Sequence, residues 1–70
     1  QNSVLMIADK AGLSRREIET LQLILEGKSD KEISSSLGVS IRTVANHNQR
    51  LYHKLGVGGR YELISKFLTI

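Results

Sequence analysis

Cysteine, proline and tryptophan are absent from this chain of 70 residues, and so are long apolar runs. Without cysteine the chain can form neither a disulfide framework nor a thiolate metal site. The longest unbroken apolar run, residues 4–8, is far shorter than the about 20 residues that a membrane-spanning helix needs, and no basic segment precedes it as in a signal peptide. These absences favour a cytoplasmic protein without disulfides or membrane contact.

The size and composition predict one small folded domain. A chain of 7.8 kDa holds one domain at most, and a domain of this size has marginal stability. Its 40% hydrophobic and 24% charged residues argue against wholesale disorder. Because the first residue is Gln1 rather than methionine, we expect a piece of a longer protein. Residues 1–12 are predicted to be a linker or the tail of an upstream element.

Acidic residues are missing from residues 33–61, although the net charge of the whole chain is only +3. The same stretch contains Arg42, Arg50, Lys54, Arg60 and both histidines. A basic stretch free of carboxylates is typical of a surface that faces a polyanion. A chance cluster on a solvated face is the alternative that charge alone leaves open.

Capping signals predict where helices begin and end, since no proline marks them. The pattern Ser-x-x-Glu occurs at Ser14 and again at Ser29, where the serine and the glutamate can satisfy each other's backbone amides. Gly27 and Gly38 follow, and a positive φ at glycine commonly ends a helix. Apolar residues recur every three or four positions, and no sustained alternation predicts a strand. Two more helices are predicted, over residues 41–55 and after Gly59, so the expected fold is all-α, a four-helix bundle.

The second and third predicted helices are joined by three residues, 38–40. So short a connection favours a helix-turn-helix crossing over antiparallel packing, and we expect one at about residues 29–55. On a helical wheel of residues 41–55, Val44, Leu51 and Leu55 share the inner side with Asn48, which therefore needs a buried partner or a water. The outer side carries cations and amides without a carboxylate: Arg42, Asn46, Gln49 and His53, flanked by Ala45 and Arg50. Amide side chains can pair with adenine and arginine with guanine or phosphate.

Several short patterns in the expected order make this chain resemble the LuxR-type (GerE-type) helix-turn-helix domain of bacterial transcription regulators. The resemblance covers residues 13–70. It rests on Leu13-Ser14-Arg15-Arg16-Glu17, Gly27-Lys28-Ser29-Asp30-Lys31-Glu32-Ile33, Leu37-Gly38-Val39-Ser40, Thr43-Val44 with His47, and Lys54-Leu55-Gly56-Val57 with Arg60. It implies a DNA-binding domain, usually at the C-terminus behind a receiver or ligand-sensing domain. It also implies that the third helix enters the major groove of double-stranded DNA and that the last helix helps to form a dimer.

Carried over residue by residue, the resemblance assigns base reading to Ala45, Asn46 and Gln49. Many relatives have a cation where this chain has Ala45, which could contact a thymine methyl group or nothing. Thr43 and Lys54 match positions that contact the DNA backbone, and Ser34 replaces a common alanine, so its hydroxyl must bond a carbonyl one turn back. With the outer-face residues Arg42, Arg50 and His53, Thr43 and Lys54 form the predicted backbone or flanking set.

The last predicted helix has an apolar arc wider than a small core requires. We interpret Tyr61, Ile64 and Leu68 as a two-fold dimer contact, so that two domains occupy inverted half-sites. The alternative is a short terminal helix that simply covers the core.

The sequence predicts no catalytic activity and no metal site. His47 and His53 are six residues apart and do not share a helix face, so we expect no metal site, and His47 is interpreted as structural. No serine has a credible His/Asp pairing, and no cofactor is expected. RNA polymerase is a candidate further partner. Two other functions stay open: the promoter-reading domain of a sigma factor, and a helical interaction module that binds no DNA.

Overall fold

The computed structural model describes residues 2–68, and all the regular structure in that range is α-helical. This confirms the predicted all-α class. The predicted helices correspond to α2 to α5, and a further helix, α1, lies within the predicted linker or tail. Residues 69 and 70 of the predicted domain lie outside the described range. The helices are α1 (Asn2–Ala11), α2 (Arg15–Leu25), α3 (Asp30–Leu37), α4 (Ile41–Leu55) and α5 (Arg60–Leu68).

Both predicted capping boxes are present. The Ser14 amide donates to Glu17 Oε1 at 2.8 Å, and the Glu17 amide donates to Ser14 Oγ at 3.2 Å. At the start of α3 the same reciprocal pair joins Ser29 and Glu32 at 2.9 and 3.1 Å. Gly38 ends α3 with a φ of 68°, a conformation that costs glycine little because it has no Cβ. Local hydrogen bonds therefore fix where α2 and α3 begin, and Gly38 fixes where α3 ends.

The core is built around α4, which packs against α2, α3 and α5. Apolar side chains that recur every three or four residues on these helices meet there. Their burial away from water is the main favourable contribution to folding. The buried core residues are Leu21, Ile24, Ile33, Val44, Leu51, Leu55 and Leu63.

Helix α1 adds a partly apolar layer to this core. Ala8 is fully buried, and Val4, Ile7 and Ala11 pack against the core cluster. The Leu13 amide donates to the Ala8 carbonyl at 3.1 Å, so the turn after α1 is hydrogen-bonded back to it. No helix in residues 2–68 is both long enough and apolar enough to cross a membrane.

The connection between α3 and α4 is the predicted three-residue turn. Ser34 Oγ donates to the Lys31 carbonyl at 2.8 Å, which confirms that this hydroxyl is satisfied one turn back. The Val39 amide donates to the Ser34 carbonyl at 3.1 Å and closes the end of α3. Ser40 then caps α4 by accepting from the Thr43 amide at 3.1 Å. Hydrogen bonds thus close the end of α3 and the start of α4 on either side of the turn.

Candidate nucleic-acid interface

The outer face of α4 is open to solvent along its whole length. The residues assigned to it on the helical wheel are all exposed, while Val44, Asn48, Leu51 and Leu55 on the other side are buried. The predicted division of this helix into an inner and an outer side is therefore confirmed. The exposed set, which we call the outer face, is Arg42, Ala45, Asn46, Gln49, Arg50 and His53.

The chemistry of the outer face suits a polyanion with hydrogen-bonding edges. Two arginines supply fixed positive charge, and Asn46 and Gln49 each supply both a donor and an acceptor. The first carboxylate in either direction lies outside α4, at Glu32 and at Glu62. An outer helix face in water normally mixes acidic with basic residues for pairing along the helix, which this one cannot do.

Thr43 lies at the edge of this face and is only partly exposed. Its hydroxyl lies 2.9 Å from Ser40 Oγ, so both hydroxyls belong to the cap of α4. The amides of a first helical turn carry partial positive charge, which favours an anion nearby. Contact between Thr43 and a DNA phosphate stays a prediction, and the partly exposed place of Thr43 in the first turn of α4 allows it.

Lys54 does not lie with the outer face. Its Nζ is 2.8 Å from Glu17 Oε1 and 3.2 Å from the Gly12 carbonyl oxygen, so it connects the end of α4 to the turn between α1 and α2. Burial by itself would raise the pKa of Glu17, but hydrogen bonds from Lys54 and from the Ser14 amide bring the pKa below its ordinary value. Contact between Lys54 and a DNA phosphate stays a prediction, and in this structure the ammonium group already has two partners.

On the inner side of α4, Asn48 has the hydrogen-bond partner that its buried position requires, the partly exposed Asp30. Its Nδ2 donates to Asp30 Oδ1 at 3.1 Å. Arg60 Nη1 lies 3.8 Å from the same Asp30 oxygen, and Arg60 Nη2 donates to the carbonyl of Lys28. Partial burial and the negative charge of Asp30 raise the pKa of the neighbouring Tyr52, against the opposing effect of Arg60.

Sequence reasoning gave Asp30 and Arg60 no role in this arrangement. Asp30 lies eighteen residues before Asn48, and nothing in the local sequence indicates that the two meet. An amide on the otherwise apolar inner side of α4 is the available signal, and it predicts a partner without identifying it.

His47 is half-buried, and its Nδ1 atom is enclosed without a hydrogen-bond partner among the described residues. Within residues 2–68, no three His, Asp or Glu side chains come together in a group that could hold a metal ion.

Helix α5 exposes two of the three predicted dimer residues. Tyr61 is 87% exposed and Leu68 80% exposed, whereas Ile64 is partly buried and packs against the core. Tyr61 and Leu68 are seven residues, or two helical turns, apart, so they lie on one side of α5, and exposed apolar side chains that share a face can form a protein contact. The dimer contact stays a prediction, with Tyr61 and Leu68 as its accessible part.

A helix-turn-helix whose second helix has an outer face of amides and arginines defines a DNA-binding domain of the helix-turn-helix class. The chain matches the family described as bacterial regulatory proteins, luxR family, over residues 11–67. It therefore belongs to that family, as the resemblance in its sequence indicated.

Three curated relatives differ in how much of their own length the chain matches. It is 41% identical over 58 residues to the spore germination protein GerE of Bacillus subtilis (strain 168), covering 83% of this chain and 78% of GerE. It is 43% identical over 57 residues to an HTH-type transcriptional regulator in the exeN 3′ region of Aeromonas salmonicida, covering 81% of this chain and 29% of that protein. It is 44% identical over 52 residues to the oxygen regulatory protein NreC of Staphylococcus aureus (strain JH9), covering 74% of this chain and 24% of NreC. No solved structure gives a significant match.

Proposed function

We propose that this domain binds double-stranded DNA sequence-specifically, with α4 in the major groove. The observation that carries the proposal is the carboxylate-free outer face, exposed along a helix of 15 residues that belongs to a helix-turn-helix. A major groove about 12 Å wide admits an α-helix, and each base pair presents a distinct donor and acceptor pattern there.

Asn46 and Gln49 are the proposed base readers, because an amide can accept from adenine N6 and donate to N7 at the same time. Ala45 lies beside them and offers only a methyl group, which suits a thymine methyl. Arg42 and Arg50 supply charge to the phosphates, with Thr43, His53 and Lys54 as the remaining backbone or flanking candidates. Binding should therefore weaken steeply as salt concentration rises.

We further propose that two copies bind inverted half-sites and meet through α5. The exposure of Tyr61 and Leu68 supports this, and so does the size of the domain, whose longest extent is 30 Å. Half-sites of helix-turn-helix dimers lie about 34–36 Å apart, one turn of DNA, so two domains of this size fit side by side.

In the protein to which it belongs, the domain would act as the DNA-binding effector of a bacterial transcription regulator in the cytoplasm. The relatives named as regulators support this, and they include proteins of which the chain covers less than a third. RNA polymerase is a candidate partner of such a regulator on DNA. The proposed activity is binding, without a catalytic step.

Selection from a pool of random duplexes at low salt tests this function. The expected result is enrichment of an inverted repeat, which would identify the operator. Failure to retain DNA even at low salt would contradict the proposal, because the charge of Arg42 and Arg50 alone should give non-specific binding there. Enrichment of a single half-site without a repeat would support major-groove reading and contradict the dimer.

A further inference from the structure

Three polar side chains join three helices on the inner side of α4. Asn48 is 5% exposed and donates to Asp30 in the first turn of α3. Asp30 also pairs with Arg60, the first residue of α5, and Arg60 donates to the Lys28 carbonyl just before α3. We call Asp30, Asn48 and Arg60 the polar link. It connects the middle of α4 to the starts of α3 and α5.

A contribution to stability does not explain why position 48 is an asparagine and not an apolar residue. Its Oδ1 atom is buried and has no hydrogen-bond partner among the described residues, which lowers the stability of the folded state. Val44 and Leu51 lie one turn away on either side of it on the same helix face, so an apolar side chain at position 48 would extend the core. Buried polar groups that reduce stability can be retained because they select one arrangement of helices, as a buried asparagine does in coiled coils.

The arrangement selected here is the rotation of α4 about its own axis. Its other inner residues are valine and leucine, whose apolar contacts are non-directional. A hydrogen bond from Asn48 to Asp30 at 3.1 Å is directional and fixes which side of α4 faces α3. Asn46 and Gln49 are exposed on the same helix, about 160° and about 100° around its axis from Asn48, so a rotation of α4 displaces them directly.

We infer that Asn48 is a positioning residue for DNA recognition: through Asp30 and Arg60 it holds α4 at the rotation at which Asn46 and Gln49 meet base edges. Amide pairing with a base needs two hydrogen bonds at once, and a site of this kind tolerates a displacement of only about 0.5 Å. Non-specific binding needs no such alignment, because phosphate contacts depend mainly on charge. The inference rests on the proposed function.

The test is the discrimination ratio, defined as the dissociation constant for a scrambled duplex divided by that for the selected operator, with both duplexes of the same length and at the same salt. In Asn48→Leu this ratio should fall about tenfold, the effect of about one mismatched base pair, while affinity for the scrambled duplex stays unchanged. The melting temperature should be equal to or higher than that of the wild type, since an unsatisfied buried oxygen has been removed.

Thr20→Val is the matched control. Thr20 is a fully buried polar residue whose hydroxyl donates within its own helix, to the Arg16 carbonyl at 2.9 Å. This substitution also replaces a buried polar side chain by an apolar one, but the hydrogen bond that it removes lies within α2. It should leave the ratio of dissociation constants at the wild-type value.

Changes at Asp30 keep the inference testable if Asn48→Leu does not fold. Asp30 is partly exposed, so Asp30→Ala removes the acceptor of Asn48 without altering the core, and it should lower the ratio in the same way. Asp30→Asn keeps an oxygen that can accept from Asn48 and should restore most of the ratio.

The outcomes separate the inference from the function on which it rests. A wild-type protein that discriminates while Asn48→Leu and Asp30→Ala discriminate equally well overturns the inference alone. An equal loss in Thr20→Val would also overturn it, because the effect would then follow from any change in the core. A wild-type protein with no preference for any duplex overturns the proposed function, and the inference with it.

Discussion

Single residues on the outer face of α4 can be tested one at a time, because truncating an exposed side chain leaves the core intact. Gln49 is exposed and is a proposed base reader. Gln49→Ala should cost about 1–3 kcal/mol of binding free energy on the selected operator and nothing on a scrambled duplex, since the lost hydrogen bonds are made only to the correct base. Fluorescence anisotropy titrations on the two duplexes measure both values.

Gln22 provides the control for this change. It is an exposed glutamine on α2, away from the outer face of α4. Gln22→Ala should bind both duplexes as the wild type does. Equal losses on the operator and the scrambled duplex in Gln49→Ala would show that Gln49 contacts the backbone or orders the helix and does not read a base.

The ionisation of Glu17 makes the stability of the domain depend on pH. Its carboxylate accepts from the Ser14 amide and pairs with Lys54, and its pKa is lowered in the folded domain. A group with a lowered folded-state pKa stabilises the fold at pH values above its unfolded pKa, near 4.5, and this contribution is lost as the pH falls through the folded value. In Glu17→Gln the free energy of unfolding should therefore fall less steeply with acidification than in the wild type.

Urea unfolding monitored by circular dichroism between neutral pH and pH 3 measures this difference. Lys54→Met removes the same ion pair from its other end and leaves the carboxylate buried beside an apolar side chain. It should lower stability at neutral pH, because burial then raises the pKa of Glu17 without an opposing cation. If Glu17→Gln follows the wild-type pH profile, the ion pair makes no contribution to folding in solution.

At the scale of helices, most of what positions the recognition surface could be predicted because it is local. The capping boxes at Ser14 and Ser29 and the glycine after α3 act over a few residues, so the bounds of α2 and α3 follow from short patterns. The period of apolar residues on α4 likewise predicts which side faces solvent. The outer face was therefore predictable to the residue.

Contacts between helices were not predictable in the same way. The meeting of Asp30 with Asn48, and that of Lys54 with Glu17, depends on how α3, α4 and α2 pack, and these partners are 18 and 37 residues apart in sequence. The helix α1 was also missed. Its sequence has a short apolar patch and one end signal, Gly12, which follows the last helical residue with a φ of 72°. The helix is stabilised by packing that these two features alone do not specify.

For the whole molecule, the prediction concerns how two copies share one DNA site. Each domain presents Tyr61 and Leu68 on α5, with most of both side chains exposed. If these residues meet across a two-fold axis, an inverted repeat binds two copies more tightly than two isolated half-sites do, because the second copy gains a protein contact as well as a DNA contact. The double variant Tyr61→Ala/Leu68→Ser should lose this advantage and keep the affinity for one half-site.

Met6→Ser is the matched control, since Met6 is 60% exposed but lies on α1. It removes an exposed apolar side chain without touching α5, so the preference for the inverted repeat should survive. Electrophoretic mobility shifts on duplexes with one or two half-sites count the bound copies directly. If the α5 double variant retains the full advantage of the repeat, the copies do not meet through Tyr61 and Leu68. The contact that favours the repeat would then lie on another surface of the domain.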